Sequence, residues 1–557
     1  MQIIYDKNGI DLRDKINYTD FKTICYLSQG RNLLTVFQLN SNLSGKYLRD
    51  FFKPIKDKIV DGFLQSLSDN YDDYDLDLID YWESIIKDDL INDDHLIEKI
   101  NEFIKESEIV NNEEIISRLS DITTMIRPAC QKSGVPERYL KRLQGKDCEH
   151  LIPESNYFHN FIINNTKTTQ YELLYQEQIM GLIKDIFNVS FGISDQFRRY
   201  LEKNDEIKLK DLKQIFWNYY KDKAPLEDCK TFWKYLLDAG GYLFNKSHAV
   251  SYSVNTFETA FIKANAPSIA LSTAMNIYSD KSDKIQAYLK EAIHIGIKIK
   301  LPKINNCFEL TQANHNLSTI FLSCRSIKGI GDNVANKLAK RNDFKSLDDF
   351  ATFCYNTKGI HKGIVEILIK IDFFSDFTDL SQKEIWNFFD NFYIKTYSNE
   401  EKKYIKKYKM NVYKPKKGEK IISEDDFMAV VETSVKSFDM SAWEQTYRRD
   451  ELNIYFNEIK YLTFPIKTLE SIYNLYLEDN EKIIIVQECV NRTGGKDGKF
   501  KFTFVKDNEG NSYFYSSKHI SIGAGTVLKI KYNEGIRGFQ LESFEIIDYL
   551  KADKKEK

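Results

Sequence analysis

Residues 241–253 read "GYLFNKSHAVSYS": a glycine, an amide, a lysine, hydroxyls, an imidazole and two tyrosines in one short stretch. A buried strand does not tolerate that polarity, and a solvated loop does not need those aromatics. A surface that holds phosphate or a nucleobase uses both. Asn245 and Ser247 could equally cap a helix that begins near His248. The two readings are compatible, because a helix N-terminus attracts anions and Lys246 adds charge there. Three more polar clusters lie upstream, at 126–134 ("IRPACQKSG"), 175–180 ("YQEQIM") and 197–203 ("FRRYLEK"). On a helix Arg198 and Arg199 point about 100° apart, and Lys203 returns beside Arg199 one turn later. Guanidinium forks match phosphate oxygens in pairs, so this face suits a triphosphate. A solvated helix face is the alternative for the same cations.

The elements that must hold these groups are mostly helical. The chain has 557 residues, enough for several cores, with 14% aromatics and only nine prolines. A net charge of −3 means that affinity for nucleic acid must come from local patches. Eight scattered cysteines without a C-x-x-C pair read as reduced thiols, not a disulfide or zinc framework. The N-terminus lacks an apolar signal core and no window approaches a membrane span, so a soluble intracellular protein is expected. Residues 67–114 are acidic with apolar positions three and four apart, as at Ile79, Trp82, Ile85 and Ile86; amphipathic helices with solvated acidic faces are expected there. "LLTVFQLN" (33–40) reads as a strand or a buried turn.

Residues 310–380 contain two candidate helix-hairpin-helix units. In "IKGIGDNVANKLAK" (327–340) Gly329 and Gly331 allow a tight turn, and the N–H groups of the following helix can face a DNA phosphate without reading sequence. Lys328 and Lys337 would add counterion release. "GIHKGIVEILIKIDFFSDF" (359–377) reads as a degenerate, structural second unit. Residues 395–420 form a lysine- and tyrosine-rich link, either solvated or lying on duplex backbone. Beyond 480 the period changes to two, with turn residues between short strands, which suggests a small barrel. Phe502, Phe504, Tyr513 and Tyr515 alternate there, and one face could stack unpaired bases.

"VFQLNS" (36–41), "RP" (127–128), "LLYQEQIM" (173–180), "FRRYLEK", "GYLFNKSHAVSYS", "FIKANAP" (261–267) and "IKGIG" (327–331) occur in this order. Together they resemble the fingers and following region of the bacterial replicative DNA polymerase III alpha subunit, over most of residues 25–375. One departure is "RPAC", where that family has Pro-Gly-Pro after the arginine. The resemblance implies an α+β chain of helical fingers and tandem helix-hairpin-helix regions, followed by a small β-barrel of the oligonucleotide-binding (OB) type. Its boundaries would be fingers 1–305 with an acidic insertion at 67–114, hairpins 306–395, a linker with connecting helices 396–478, and the barrel 479–550. Carried over by position, Arg127, Arg198, Arg199, Lys203 and Lys246 would contact the dNTP triphosphate or nearby backbone. Asn245, Ser247, His248 and Tyr252 would line the nucleotide pocket, and Lys328, Gly329, Gly331 and Lys337 would hold primer-template DNA.

Phosphoryl transfer of this kind needs two metal ions held by carboxylates, which the family carries on a palm domain. No matching motif is found here. Asp75 and Asp77 in "YDLDLID" would share one face of a strand, but they sit among other aspartates in a helical acidic stretch. The resemblance therefore implies a split polymerase whose Mg2+ ligands come from a separate palm-containing chain, in a bacterial cytoplasm and of phage type. A sliding clamp is a further candidate partner through "QKEIWNFF" (382–389), whose apolar residues also fit a helix packing inward. The alternative is a non-catalytic DNA-binding or processivity factor derived from a polymerase.

Overall fold

The computed structural model describes residues 16–69, 82, 84–85, 93–392, 460, 473, 477, 480–494, 500–507, 512–515, 522, 526–535 and 538–549. The chain divides into two compact units at Ala274/Met275.

The first unit is helical. It comprises α1 (Phe21–Gln29), α2 (Asn42–Asp69), α3 (Asp94–Ser107), α4 (Asn112–Met125), α5 (Pro128–Lys132), α6 (Val135–Leu143), α7 (His159–Thr166), α8 (Gln176–Phe187), α9 (Phe191–Lys203), α10 (Glu206–Tyr220), α11 (Leu226–Gly240) and α12 (Lys246–Asn265), with α13 (Pro267–Ile277) at the division. Side-chain caps define many of the starts. Asp20 accepts from the Thr23 N–H at 2.8 Å, and Asn245 from the His248 N–H at 2.8 Å. The acidic stretch forms a helix where it is described: α3 buries Leu96, Ile97, Ile100 and Ile104 on one stripe, and Trp82 packs against Phe63. Asp75, Asp77 and Ile79 lie outside the described residues.

Two packing centres organise this unit. In one, α12 lies on α4 and α1. In the other, Phe158 stacks on Phe232 at 4.5 Å between ring centroids, surrounded by Phe197, Phe216, Tyr220 and Trp233. "LLTVFQLN" is a buried turn and not a strand: Leu33, Val36 and Leu39 point inward, and Gln38 takes a left-handed φ of 60°. Where α1 ends and α2 begins, the backbones touch. Gly30 sits at φ 57°, and a Cβ added to it would lie 2.0 Å from the Gly45 carbonyl oxygen.

The second unit continues with α14 (Ser282–His294) and the short strands β1 (Lys298–Lys300), β2 (Gln312–Asn314) and β3 (Thr319–Phe321). They form one sheet in the order β1-β3-β2, with β1 parallel and β2 antiparallel to β3. Then come α15 (Asp332–Ala339), α16 (Leu347–Asn356), α17 (Lys362–Lys370) and α18 (Gln382–Phe392). In α18, Ile385, Trp386 and Phe389 are buried, and Phe389 packs on Phe350 and Phe374. Three of the four apolar residues of "QKEIWNFF" thus face inward, and Phe388 is half-buried.

The last strands are β4 (Glu481–Gly494), β5 (Phe500–Asp507), β6 (Ser512–Tyr515), β7 (Thr526–Gly535) and β8 (Gly538–Tyr549). They pair in the order β4-β5-β6-β8-β7, and β7 pairs back with β4. The β6–β8 seam is parallel and only two positions long, Tyr513 with Phe539 and Phe514 with Gln540. Register regroups the aromatics. Phe504 lies opposite Phe514 and Val505 opposite Tyr513, and Val505 and Tyr513 are both buried. Phe504 and Tyr513 therefore occupy opposite faces, and Phe504 pairs instead with Phe514, ring centroids 5.4 Å apart.

Gly30→Ala is expected to destabilise the first unit by more than about 2 kcal/mol, since both the φ and the contact with Gly45 oppose a side chain. Gly241→Ala, at φ −83° with open space at the Cβ position, should stay within about 0.5 kcal/mol of the parent. Urea unfolding of both variants checks this, and equal midpoints would refute the close-approach account.

Candidate nucleotide and DNA interfaces

The start of α12 is held by a short bridge. Tyr175, at the N-cap of α8, pairs with Phe244. The Gln176 N–H donates to the Phe244 carbonyl at 2.8 Å, and the Phe244 N–H donates to the Leu174 carbonyl at 3.0 Å. Below the bridge lies Asp121 of α4, 1% exposed. Its two carboxylate oxygens accept from the Tyr139 and Tyr175 hydroxyls, each at 2.6 Å. Burial pushes the Asp121 carboxyl up to about 6, against the lowering pull of those two hydrogen bonds.

Two cations sit on this frame. The Arg127 guanidinium lies 3.6 Å above the Phe244 ring, and the Lys246 ammonium lies 5.8 Å from the Tyr175 ring centroid. Burial lowers the Arg127 pKa, and its Nε is buried with no hydrogen-bond partner among the described residues. Pro128 occupies the first position of α5 and holds Arg127 in extended backbone at φ −72°, ψ 139°. The unusual "RPAC" thus forms a short helix with Cys130 buried beneath it.

Beside the cations runs a row of rings. Phe244 meets His248 at 5.4 Å, His248 meets Tyr252 at 4.1 Å, and Tyr252 stacks on Phe37 at 5.3 Å with an interplanar angle of 2°. Phe37 is 38% exposed. Its backbone is pinned to α12 at both ends: its N–H donates to Thr259 Oγ1 at 2.9 Å, and its carbonyl accepts from Thr256 Oγ1 at 3.1 Å. The arrangement offers a flat aromatic face next to two positive groups.

The helix cap is real and it narrows the anion reading. Asn245 Oδ1 accepts from the His248 N–H and from the Ser247 hydroxyl, the latter at 2.7 Å. The Lys246 N–H donates to Glu177 at 2.9 Å. Two of the first N–H groups of α12 are therefore already satisfied, and attraction for an anion rests on the Arg127 and Lys246 side chains.

Arg198, Arg199 and Lys203 stand on α9, which packs on α8. Arg198, 14% exposed, is ion-paired to Asp195 at 2.9 Å and to Glu202 at 2.7 Å. Arg199, 62% exposed, pairs with Asp195 at 2.8 Å, and Lys203 is exposed at the end of the helix. These Arg198 hydrogen bonds and charge hold the Asp195 carboxyl below the usual range. Among the described residues no hydrogen bond, ion pair or ring contact joins this trio to Arg127 or Lys246. Phe37, Asp121, Tyr175, Glu177 and Phe244 were not singled out from the sequence. The segments "VFQLNS", "YQEQIM" and "GYLFNKSHAVSYS" marked the neighbourhood of Phe37, Tyr175, Glu177 and Phe244, and nothing marked Asp121.

In the second unit the two hairpins repeat one backbone. Lys328-Gly329-Ile330-Gly331 leads into α15 and Lys358-Gly359-Ile360-His361 into α17. Gly329 has φ 96° and Gly359 φ 98°. Ile330 and Ile360 are buried, while Lys328 and Lys358 are exposed. The turns pack reciprocally, since a Cβ on Gly329 would meet Ile367 of α17 at 2.8 Å and one on Gly359 would meet Val334 of α15 at 3.6 Å. The Lys337 ammonium donates to the Lys358 carbonyl at 2.7 Å and so ties the two hairpins together. A full helix, α16, precedes the turn of the second hairpin, whereas a single 3-10 turn, Cys324–Ser326, precedes that of the first.

Among the described residues no group of three or more His, Cys, Asp or Glu side chains could hold a metal ion, and no helix is long and apolar enough to cross a membrane.

Comparison with known proteins follows this layout. Residues 100–224 match the family model for the bacterial DNA polymerase III alpha subunit finger domain, and residues 296–384 match a helix-hairpin-helix motif. The DNA polymerase III subunit alpha of Campylobacter jejuni is 30% identical over 272 residues, covering 47% of this chain and 22% of that protein. That of Aquifex aeolicus is 30% identical over 274 residues, covering 47% and 22%. That of Deinococcus radiodurans is 31% identical over 215 residues, covering 38% and 16%. The chain thus carries a DNA polymerase III alpha-like region, and it spans about a fifth of the length of the curated relatives it matches.

Asp121→Ala strands two buried phenol hydroxyls and should cost about 2–4 kcal/mol. The folded pKa of Asp121 lies above its ordinary 3.8. Its favourable contribution is therefore full below that value and is lost as pH rises through about 6. Asp121→Asn should remove about 2 kcal/mol of stability change between pH 4 and 6 relative to the parent. Urea titrations across that range test it, and parallel pH profiles would refute it.

Proposed function

We propose that this chain is the fingers and DNA-holding part of a template-directed DNA polymerase, with the palm aspartates and their Mg2+ contributed by a separate chain. The observation that carries this reading is the pair of cations, Arg127 and Lys246, each laid on an aromatic ring beside the Phe37–Tyr252 stack. A dNTP needs a positive cradle for its triphosphate and a flat surface near its base, and both are offered along the first two turns of α12. The likeness to polymerase III alpha subunits over residues 100–224 supports the same reading.

The roles divide by availability of charge. Arg127 brings an unpartnered Nε and Lys246 an ammonium at the positive end of α12. His248 and Tyr252 supply the wall against which sugar and base rest. Asn245 and Ser247 act by capping α12 and so holding Lys246 in place. Arg199 and Lys203 are exposed on α9 and can meet phosphate or backbone once the fingers close. Arg198 must first give up Asp195 or Glu202. The two hairpins would hold duplex phosphates through Lys328 and Lys358 and the glycine turns around Gly329, Gly331 and Gly359, with Lys337 bracing them. The β4–β8 strands fit an OB-type barrel, and their Phe504–Phe514 pair is the aromatic face available to unpaired template.

The second reading, a polymerase-derived DNA-holding factor without catalysis, draws on the satisfied N–H groups of α12 and the carboxylate of Glu177 beside Lys246. The two separate by kinetics. With a palm-bearing chain added, Arg127→Ala and Lys246→Ala should each raise the dNTP KM about tenfold or more, and Arg198→Ala less. An unchanged KM with reduced salt sensitivity of DNA binding would favour the second reading. Template-dependent incorporation by this chain without any palm chain would overturn the division of labour. Lys328→Ala and Lys358→Ala should each lower the slope of log affinity against log salt by about one. A slope unmoved by Lys358→Ala would return the second hairpin to a purely structural role.

A further inference from the structure

A thiol pair that plays no part in the nucleotide reading lies in the second unit. Cys307 Sγ and Cys324 Sγ are 3.3 Å apart, 17 positions distant in the chain, and both are buried, at 2% and 0% exposure. Cys324 opens the 3-10 turn that leads into the first hairpin. Cys307 is tied to the far side of that same hairpin. Its N–H donates to Asn342 Oδ1 at 3.3 Å and its carbonyl accepts from Asn342 Nδ2 at 3.2 Å, and Asn342 follows α15. The two sulfurs therefore meet at the base of the turn that carries Lys328, Gly329 and Gly331.

We propose that Cys307 and Cys324 are a site of reversible disulfide formation by a peroxide-sized oxidant, and that the cross-link clamps the first hairpin at its base. The sulfurs need approach by only about 1.3 Å to reach a disulfide bond of about 2.0 Å, a movement within the reach of side-chain rotation. Cys307 is the reacting thiol: the hydrogen bond with Cys324 lowers its pKa and raises that of Cys324. The Cys307 thiolate attacks one oxygen of hydrogen peroxide, the O–O bond breaks, and the departing hydroxide takes up the proton that Cys307 had released. The resulting sulfenic acid is then attacked by the Cys324 sulfur. The S–O bond breaks and the Cys324 proton leaves with the hydroxide as water. Two thiols lose two electrons in all, and one peroxide becomes two waters. Burial of both sulfurs admits peroxide through a brief local opening and disfavours a bulky disulfide such as oxidised glutathione.

The test uses the full chain treated with hydrogen peroxide, quenched, alkylated under denaturing conditions and mapped by mass spectrometry. A linked Cys307–Cys324 peptide pair, two hydrogens lighter and restored by dithiothreitol, is expected, with oxidised glutathione about tenfold slower or worse. Hydrogen exchange in residues 324–342 should slow about threefold or more after linkage. Cys324→Ser should trap Cys307 as a dimedone-reactive sulfenic acid, and Cys307→Ser should abolish the link. Full alkylation of both cysteines after peroxide, sulfinic acid without linkage, or linkage of either to another cysteine would overturn the proposal. Unchanged exchange in the linked protein would overturn the clamp.

Discussion

The first unit depends on a buried carboxylate that holds two phenols. Asp121 is inside because α4 packs against α12, and it is tolerable there because Tyr139 and Tyr175 satisfy both of its oxygens. Tyr175 in turn fixes Phe244 through the backbone bridge, and Phe244 carries the Arg127 guanidinium. The ring of Tyr175 also underlies Lys246. A single buried acid thus orients both cations of the candidate nucleotide site without touching either. A second buried acid, Glu172, works likewise nearby, accepting two hydrogen bonds from Arg138 and one from Arg142. These satisfied acids fix α6 and the start of α8 relative to each other and leave the surface cations free to serve a ligand.

Partnering separates cations that look alike as letters. Arg127 has a ring beneath it and an unpaired Nε, so a ligand phosphate would complete its hydrogen bonding. Arg198 already has two carboxylates, and anything else it binds must compete with them. Lys337 spends its ammonium on the Lys358 carbonyl, whereas Lys328 and Lys358 reach solvent. The same logic explains why the glycine turns matter. A φ near 97° at both Gly329 and Gly359 is open to glycine and strained for other residues, and each turn is also the packing partner of the opposite helix. The hairpins are therefore one mechanical unit in which a change at either turn is felt by both.

The strand segment shows how register overrides alternation within a single strand. Phe502, Phe504, Tyr513 and Tyr515 each alternate correctly along β5 or β6. Whether the two sets share a face depends on which residue of β6 lies opposite which residue of β5, and that pairing places Phe504 beside Phe514 while Tyr513 fills the interior. No reading of either strand alone contains that information.

Much of the chemistry was nonetheless legible in the letters. Helical periodicity, the Asn245 cap, the glycine turns and the change to period two beyond 480 all follow from local steric and hydrogen-bonding rules, which act over a few residues. The ordered run of polar segments pointed to a polymerase III alpha-like region by its resemblance to that family. Tertiary structure alone decided which groups meet across long stretches of chain: Phe37 on Tyr252, Asp121 under Tyr175, and Cys307 against Cys324. Those contacts depend on how helices and turns far apart in sequence pack. Packing also decides which charges are spent on neighbours and which remain for a ligand, because a partner 30 or 200 residues away leaves no mark on the local pattern.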